Sequence, residues 1–108
     1  MNYESFWISH TNMNNGELVA TLIDDVTFFI CNQFDSFNKE ENYYLKKTIL
    51  KSKIFMLHVF NIDSDRPNAS IKACILYNTS SQGAYIHYFC VDSSFRSYGI
   101  GTFLLLLV

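Results

Sequence analysis

Apolar positions in the first half of the chain recur at spacings of three and four. Leu18, Leu22, Val26, Phe29 and Ile30 fall on one stripe, the pattern of a helix that buries one side. Ahead of it, Asn14-Asn15-Gly16-Glu17 resembles a helix cap followed three residues later by Glu. A second start follows at Asn38, with Glu41 three residues on. Glu40 and Glu41 then sit in the first turn, and Lys46, Lys47 and Lys51 toward the end, the polarity a helix dipole favours. A short strand around Phe6 to Ser9 is expected before both helices.

The pattern changes in the second half. Ile54 to Phe60 is apolar throughout except for His58, and a turn cluster of Asp, Asn and Pro fills Asn61 to Asn68. Ser70 to Tyr77 reads as a second strand, Asn78 to Gly83 as a turn, and Ala84 to Val91 as a third strand, with Tyr, Ile, Phe and Val supplying the β-propensity. Such short connections imply an antiparallel meander. The expected fold class is α+β: one strand, two helices, a three-stranded antiparallel meander, then a loop and the start of an apolar helix. No linker, repeat or composition break divides residues 1–108, so one domain is expected.

Composition narrows the function classes. The chain is 49% hydrophobic and 17% charged, too apolar for disorder. Its net charge of -2 announces no nucleic-acid partner, and aromatics are not interleaved with Lys and Arg. Cys31, Cys74 and Cys90 form no C-x-x-C pair and read as reduced, buried thiols. His10, His58 and His87 lie far apart, which argues against a zinc site. The N-terminus lacks a basic region followed by an apolar stretch, so a cytoplasmic location is expected. The longest apolar run, Phe103 to Val108, falls far short of the roughly 20 residues a bilayer demands, and no membrane partner is expected.

One motif carries chemistry. After the third strand come Asp92-Ser93-Ser94-Phe95, then Arg96-Ser97-Tyr98-Gly99-Ile100-Gly101-Thr102 and an apolar helix start. Arg-x-x-Gly-x-Gly between strand and helix is the pattern of an anion cradle. Gly99 and Gly101 can take backbone conformations closed to other residues and let a phosphate approach the main chain. The first helical turn adds unpaired N–H donors and the positive dipole end. Arg96 can add a charge-assisted bond or brace the loop. A dinucleotide-binding fingerprint would need a third Gly where Leu104 stands, and a Walker A loop would need Gly-Lys-Ser/Thr.

Phe89 to Leu107 resembles the acetyl-CoA-binding motif of the GNAT superfamily of N-acetyltransferases. Phe89 and Val91 match its strand positions, and Arg96, Gly99 and Gly101 match its loop; Ser93 stands where Pro is frequent. The order of one strand, two helices and three strands also matches that family. The resemblance implies a GNAT-like fold and acetyl-CoA as co-substrate. It implies that Arg96, Ser97, Tyr98, Gly99, Ile100, Gly101 and Thr102 bind the pyrophosphate, and that Phe89, Cys90 and Val91 pair with the pantetheine arm like an added strand. The reaction implied is direct attack of a primary amine on the thioester, with a base taking the amine proton.

Tyr85, His87, Phe89 and Val91 are expected to alternate onto one strand face. The resemblance makes His87 the candidate general base and Tyr85 a weaker one; a half-buried strand histidine is the other reading of His87. His58 is expected to be structural.

The family's acceptor half, a further strand, helix and strand pair, has no counterpart before Val108. The chain therefore resembles a truncated, cofactor-binding half of such an enzyme, or a half that pairs with another chain. Two other readings stand beside the acetyltransferase: a non-catalytic remnant that binds coenzyme A or nothing, and an unrelated α+β interaction domain. The missing neighbour predicts an unpaired edge on the strand over residues 84–91 and self-association through it. The acceptor amine is not named by any residue pattern.

Overall fold

The computed structural model describes residues 3–12, 19–34, 39–61 and 68–108. The expected helix caps at 14–17 and at 38, the Leu18 end of the first stripe, and the turn at 62–67 lie outside these. Strand β1 spans Tyr3–Asn12, helix α1 Val19–Gln33 and helix α2 Lys39–Leu50. Strands β2, β3 and β4 span Lys53–Asn61, Asn68–Ser80 and Gly83–Val91, and helix α3 spans Ile100–Leu107. The strands form one antiparallel sheet in the order β1-β2-β3-β4. The fold is α+β, as the hydrophobic pattern predicts.

The core forms on both faces of the sheet, which is why β2 and β3 read as apolar runs rather than clean alternations. On one face, Val26, Phe29 and Ile30 of α1 and Leu45 and Ile49 of α2 pack on Ile54, Met56, Cys74, Leu76 and Cys90. On the other, Leu104 of α3 and Phe95 pack on Leu57, Val59, Ala73 and Ile75. Successive strand residues go to opposite faces. Each fully enclosed Leu or Ile contributes about 1.5–3 kcal/mol relative to exposure, so both layers matter to a domain this small.

Two differences from the expected pattern have physical causes. Strand β3 runs on to Ser80, which pairs with Gly83 across a two-residue turn. Asn78 is drawn into side-chain contacts instead of a turn: its amide donates to Ser52 Oγ at 3.5 Å and to His87 Nε2 at 3.0 Å. Only Gly tolerates the φ of +129° at position 83 that reverses the chain so sharply. The second difference is irregular pairing. Register shifts occur between Leu57 and His58 and between Leu76 and Tyr77. At the latter, Tyr77 pairs with Ile86 and Leu76 with Tyr88, so His87 is the extra residue of a β-bulge.

Strand β4 pairs with β3 along one side and lies at the end of the sheet order. Helix α3 buries Leu104 and leaves Phe103, Leu105, Leu106 and Leu107 exposed. No helix among the described residues is long and apolar enough to cross a membrane.

Candidate cofactor site

The loop after β4 is built by a chain of local hydrogen bonds. Asp92 N–H donates to Lys72 O at 2.8 Å, continuing the β3–β4 ladder by one residue. Its carboxylate then caps a 3₁₀ turn over Ser93–Phe95, accepting from Ser94 N–H at 3.0 Å and Ser94 Oγ at 2.6 Å. Burial alone would raise the Asp92 carboxyl; the two Ser94 hydrogen bonds and the nearby charges of Lys72 and Arg96 outweigh it and hold it below the ordinary value. Phe95 anchors the turn by entering the core beside Leu104.

Arg96 follows in extended conformation and donates from Nε to Val91 O at 3.1 Å. It braces the loop against the end of β4, one of the two roles its position allowed. The chain then reverses through two left-handed residues, Ser97 at φ 80° and Gly99 at φ 74°. Gly99 is the N-cap of α3, and no side chain caps the helix start. The first intrahelical bond is Phe103 N–H to Gly99 O at 3.0 Å. The N–H groups of Ile100, Gly101 and Thr102 therefore have no intrahelical acceptor.

The two motif glycines have different jobs. Gly99 supplies the left-handed cap, as expected. Gly101 is helical, and a Cβ there would meet Phe89 Cζ at 3.1 Å and Val91 Cγ2 at 3.7 Å. Its smallness lets α3 approach the end of β4; it is not needed for an unusual backbone angle. The second left-handed position belongs to Ser97, a residue type that gives no such signal in a sequence.

The loop stands between two hollows. One, an open cavity of about 330 Å³, is lined by Gln33, Phe34, Phe89, Cys90, Val91 and Arg96. It joins the expected pantetheine strand and the motif Arg to the C-terminal end of α1. The other, of about 650 Å³, is lined on the β1 side by Phe6, Trp7, Ile8 and Leu57 and on the α3 side by Tyr98, Gly99, Ile100 and Phe103. The structure thus divides the candidate binding residues between neighbouring hollows.

The bulge corrects the expected alternation of β4. Tyr85 pairs with Asn78, and His87 bonds to the same Asn78, on the face covered by α1 and α2. Phe89 and Val91 face α3. The four side chains do not share one face, because the extra residue flips the strand between His87 and Phe89. Neither His87 nor Tyr85 lines the Arg96 cavity. The Tyr85 ring meets His87 edge-on at 4.8 Å between centroids. Asn78 Nδ2 can only donate, so His87 Nε2 is the acceptor of this bond.

His58 has the structural placement expected of it. Its ring stacks on Trp7 at 5.1 Å and its Nε2 bonds to Ser9 Oγ at 2.7 Å; burial pushes its pKa down. Sequence reasoning missed Gln33, Phe34 and the role of Cys90. Cys90 lies opposite Cys74. Counting back from the Ser80–Gly83 turn sets Cys74 opposite Phe89; the bulge at His87 moves Cys90 there. No protein-family model matches the chain, and no curated protein matches it.

Proposed function

We propose that this chain is the cofactor-binding part of an acetyl-CoA-dependent N-acetyltransferase with a GNAT-like fold. The observation that carries the reading is the joint at the end of β4. Among the described residues β4 is the last strand of the sheet, and it runs into a loop that presents uncapped N–H groups of Ile100, Gly101 and Thr102, with Arg96 beside a cavity walled by Phe89, Cys90 and Val91. Uncapped helix donors suit a pyrophosphate, and the outer strand of a sheet suits an extended amide-bearing arm. The α+β order agrees with the resemblance. In this reading the cofactor supplies the acetyl group as a thioester. Arg96 and the α3 start hold the phosphates, and the β4 edge aligns the arm for attack by an amine.

A second reading, a non-catalytic coenzyme A-binding chain or a half that needs a partner, is favoured by His87. Its accepting nitrogen is taken by Asn78, and it stands outside the Arg96 cavity. It accepts a proton from an amine or water only after the Asn78 amide moves away.

Calorimetric titration with acetyl-CoA and with coenzyme A tests the shared part of both readings. Gly99→Val forces a β-branched residue into φ 74° and should weaken binding at least tenfold, and Arg96→Ala should weaken it less. Absence of binding by the folded wild type removes every reading in which this chain alone holds the cofactor. A thiol-release assay with arylalkylamines, polyamines and Lys peptides follows: turnover by the chain alone removes the second reading, whereas binding without turnover is what a cofactor-binding part also gives.

A further inference from the structure

Cys74 and Cys90 stand directly opposite each other on β3 and β4, and both are buried. Opposed residues of an antiparallel pair have Cα atoms about 4.5 or about 5.5 Å apart. Both spacings fall within the roughly 4.4–6.8 Å that a disulfide spans. The spacing of the opposed strands is therefore one that a disulfide can span.

The two thiols differ in access and acidity. Cys90 lines the Arg96 cavity, whereas Cys74 is fully enclosed by the sheet core. The neighbouring Cys74 thiol and the charge of Arg96 draw the Cys90 thiol down against its burial. The neighbouring Cys90 thiol, with burial, pushes Cys74 well up. Exchange begins at the more acidic and more accessible thiol of a pair, and of these two that is Cys90. The third thiol, Cys31, donates to Asn42 Oδ1 at 2.7 Å, and burial raises it.

We infer that Cys90 and Cys74 are an attacking and a resolving thiol that a low-molecular-weight disulfide oxidises to a cross-strand staple between β3 and β4. The Cys90 thiolate attacks one sulfur of the small disulfide, whose S–S bond breaks, and one small thiolate leaves and takes up a proton. Cys74 gives up its proton and attacks the Cys90 sulfur of the mixed disulfide, and the second small thiol leaves. Two protein thiols are oxidised to one disulfide, and the small disulfide is reduced to two thiols. The staple fixes the segment of β4 that walls the Arg96 cavity. This inference stands whether or not the chain binds coenzyme A.

The test is oxidation of the folded full chain with oxidised glutathione, followed by non-reducing peptide mapping by mass spectrometry. Wild type should lose two hydrogen masses, give one cross-linked pair containing Cys74 and Cys90, and keep Cys31 open to alkylation. Cys74→Ser should accumulate one glutathione on Cys90, and Cys90→Ser should leave Cys74 unmodified. The oxidised wild type should melt at a higher temperature than the reduced form and return on reduction. Three free thiols in the treated wild type, or a cross-link through Cys31, would overturn the inference with no variant needed. Glutathione on Cys74 in a folded Cys90→Ser would overturn the order of attack.

Discussion

The two halves of β4 share one neighbouring strand and one apolar composition, yet they live in different surroundings. Before the bulge, Tyr85 is 68% exposed and Ile86 38% exposed; after it, Cys90 is 4% exposed, although Phe89 keeps 36% of its surface open. The difference lies in what covers them. Phe34 of the segment after α1 meets Tyr88, and α3 presses Gly101 against Phe89. The first half is held by its ladder to β3 and by the Asn78–His87–Tyr85 cluster. Apolar side chains in a strand state where burial is possible; a packed second layer makes it actual.

The bulge at His87 separates the halves, and deleting His87 tests whether the extra residue is needed. With the turn kept, Ile86 stays opposite Tyr77 and Tyr88 opposite Leu76, so Tyr88 and Cys90 keep the face of α1 and α2, and Phe89 and Val91 keep that of α3. What is lost is the Asn78–His87–Tyr85 cluster. The deletion should therefore cost only a fraction of the stability of a small domain, about 5–15 kcal/mol. Circular dichroism should still show a cooperative melt. Loss of that melt would mean that β4 needs the bulge to reach its place beside α3.

Gly101→Val attacks the packed half alone. The new side chain begins 3.1 Å from Phe89 Cζ, and overpacking of this kind costs roughly 1–3 kcal/mol. Adding Phe89→Ala should recover part of that loss, because the obstructing ring is removed. Chemical denaturation of the two single variants and the double variant measures the coupling. Additive losses would show that α3 does not rest on Phe89. For the same reason Gly101→Val is a poor probe of phosphate binding, and Gly99 is the better position.

The contrast also shows what a sequence exposes. Element types and order were legible because α1 repeats at three and four and because β2 and β3 are bounded by turn residues. The Arg96–Gly99–Gly101 spacing was legible as a strand-to-helix loop. The faces of β4 were not. Tyr85 to Val91 is apolar on both alternations apart from His87, so no polar side marks where the register slips. Asn78 looks like a turn residue until its partners Ser52 and His87 are known. Cys74 and Cys90 meet only through that same slip. The left-handed Ser97 carries no signal, since the loop conformation is imposed by the anchors on either side, Phe95 in the core and Gly99 at the cap.

Helix α3 carries the contrast onto the outer surface. Leu106 is 78% exposed and Phe103 50%, and no polar residue other than Thr102 interrupts the helix. Contiguous exposed apolar surface favours association. Leu106→Glu should lower the sedimentation coefficient at high concentration while changing stability by about 0.5 kcal/mol or less, as surface substitutions usually do. A wild type that stays monomeric at every concentration would place self-association elsewhere or nowhere.

The smallest expected effect concerns His58 of β2. Burial lowers the His58 pKa below its ordinary value of 6.5, because the half-buried ring between Trp7 and Ser9 is costly to charge. The unfolded chain therefore takes up a proton on His58 at a higher pH than the folded chain does. Stability from this group is fully present above 6.5 and falls away as pH drops from there toward the depressed folded value. Lowering the pH from about 7.5 to about 5.5, a window that brackets ordinary histidine titration, should reduce the melting temperature of wild type. His58→Gln keeps a hydrogen-bonding side chain beside Ser9 but cannot titrate, so its melting temperature should fall less over the same window. Asp92 adds little in that range, since its depressed carboxyl loses its contribution only as pH falls through still lower values. Equal pH slopes for the two proteins would mean that His58 accepts its proton in the fold as readily as in the open chain, and that the Trp7–His58–Ser9 cluster is wet.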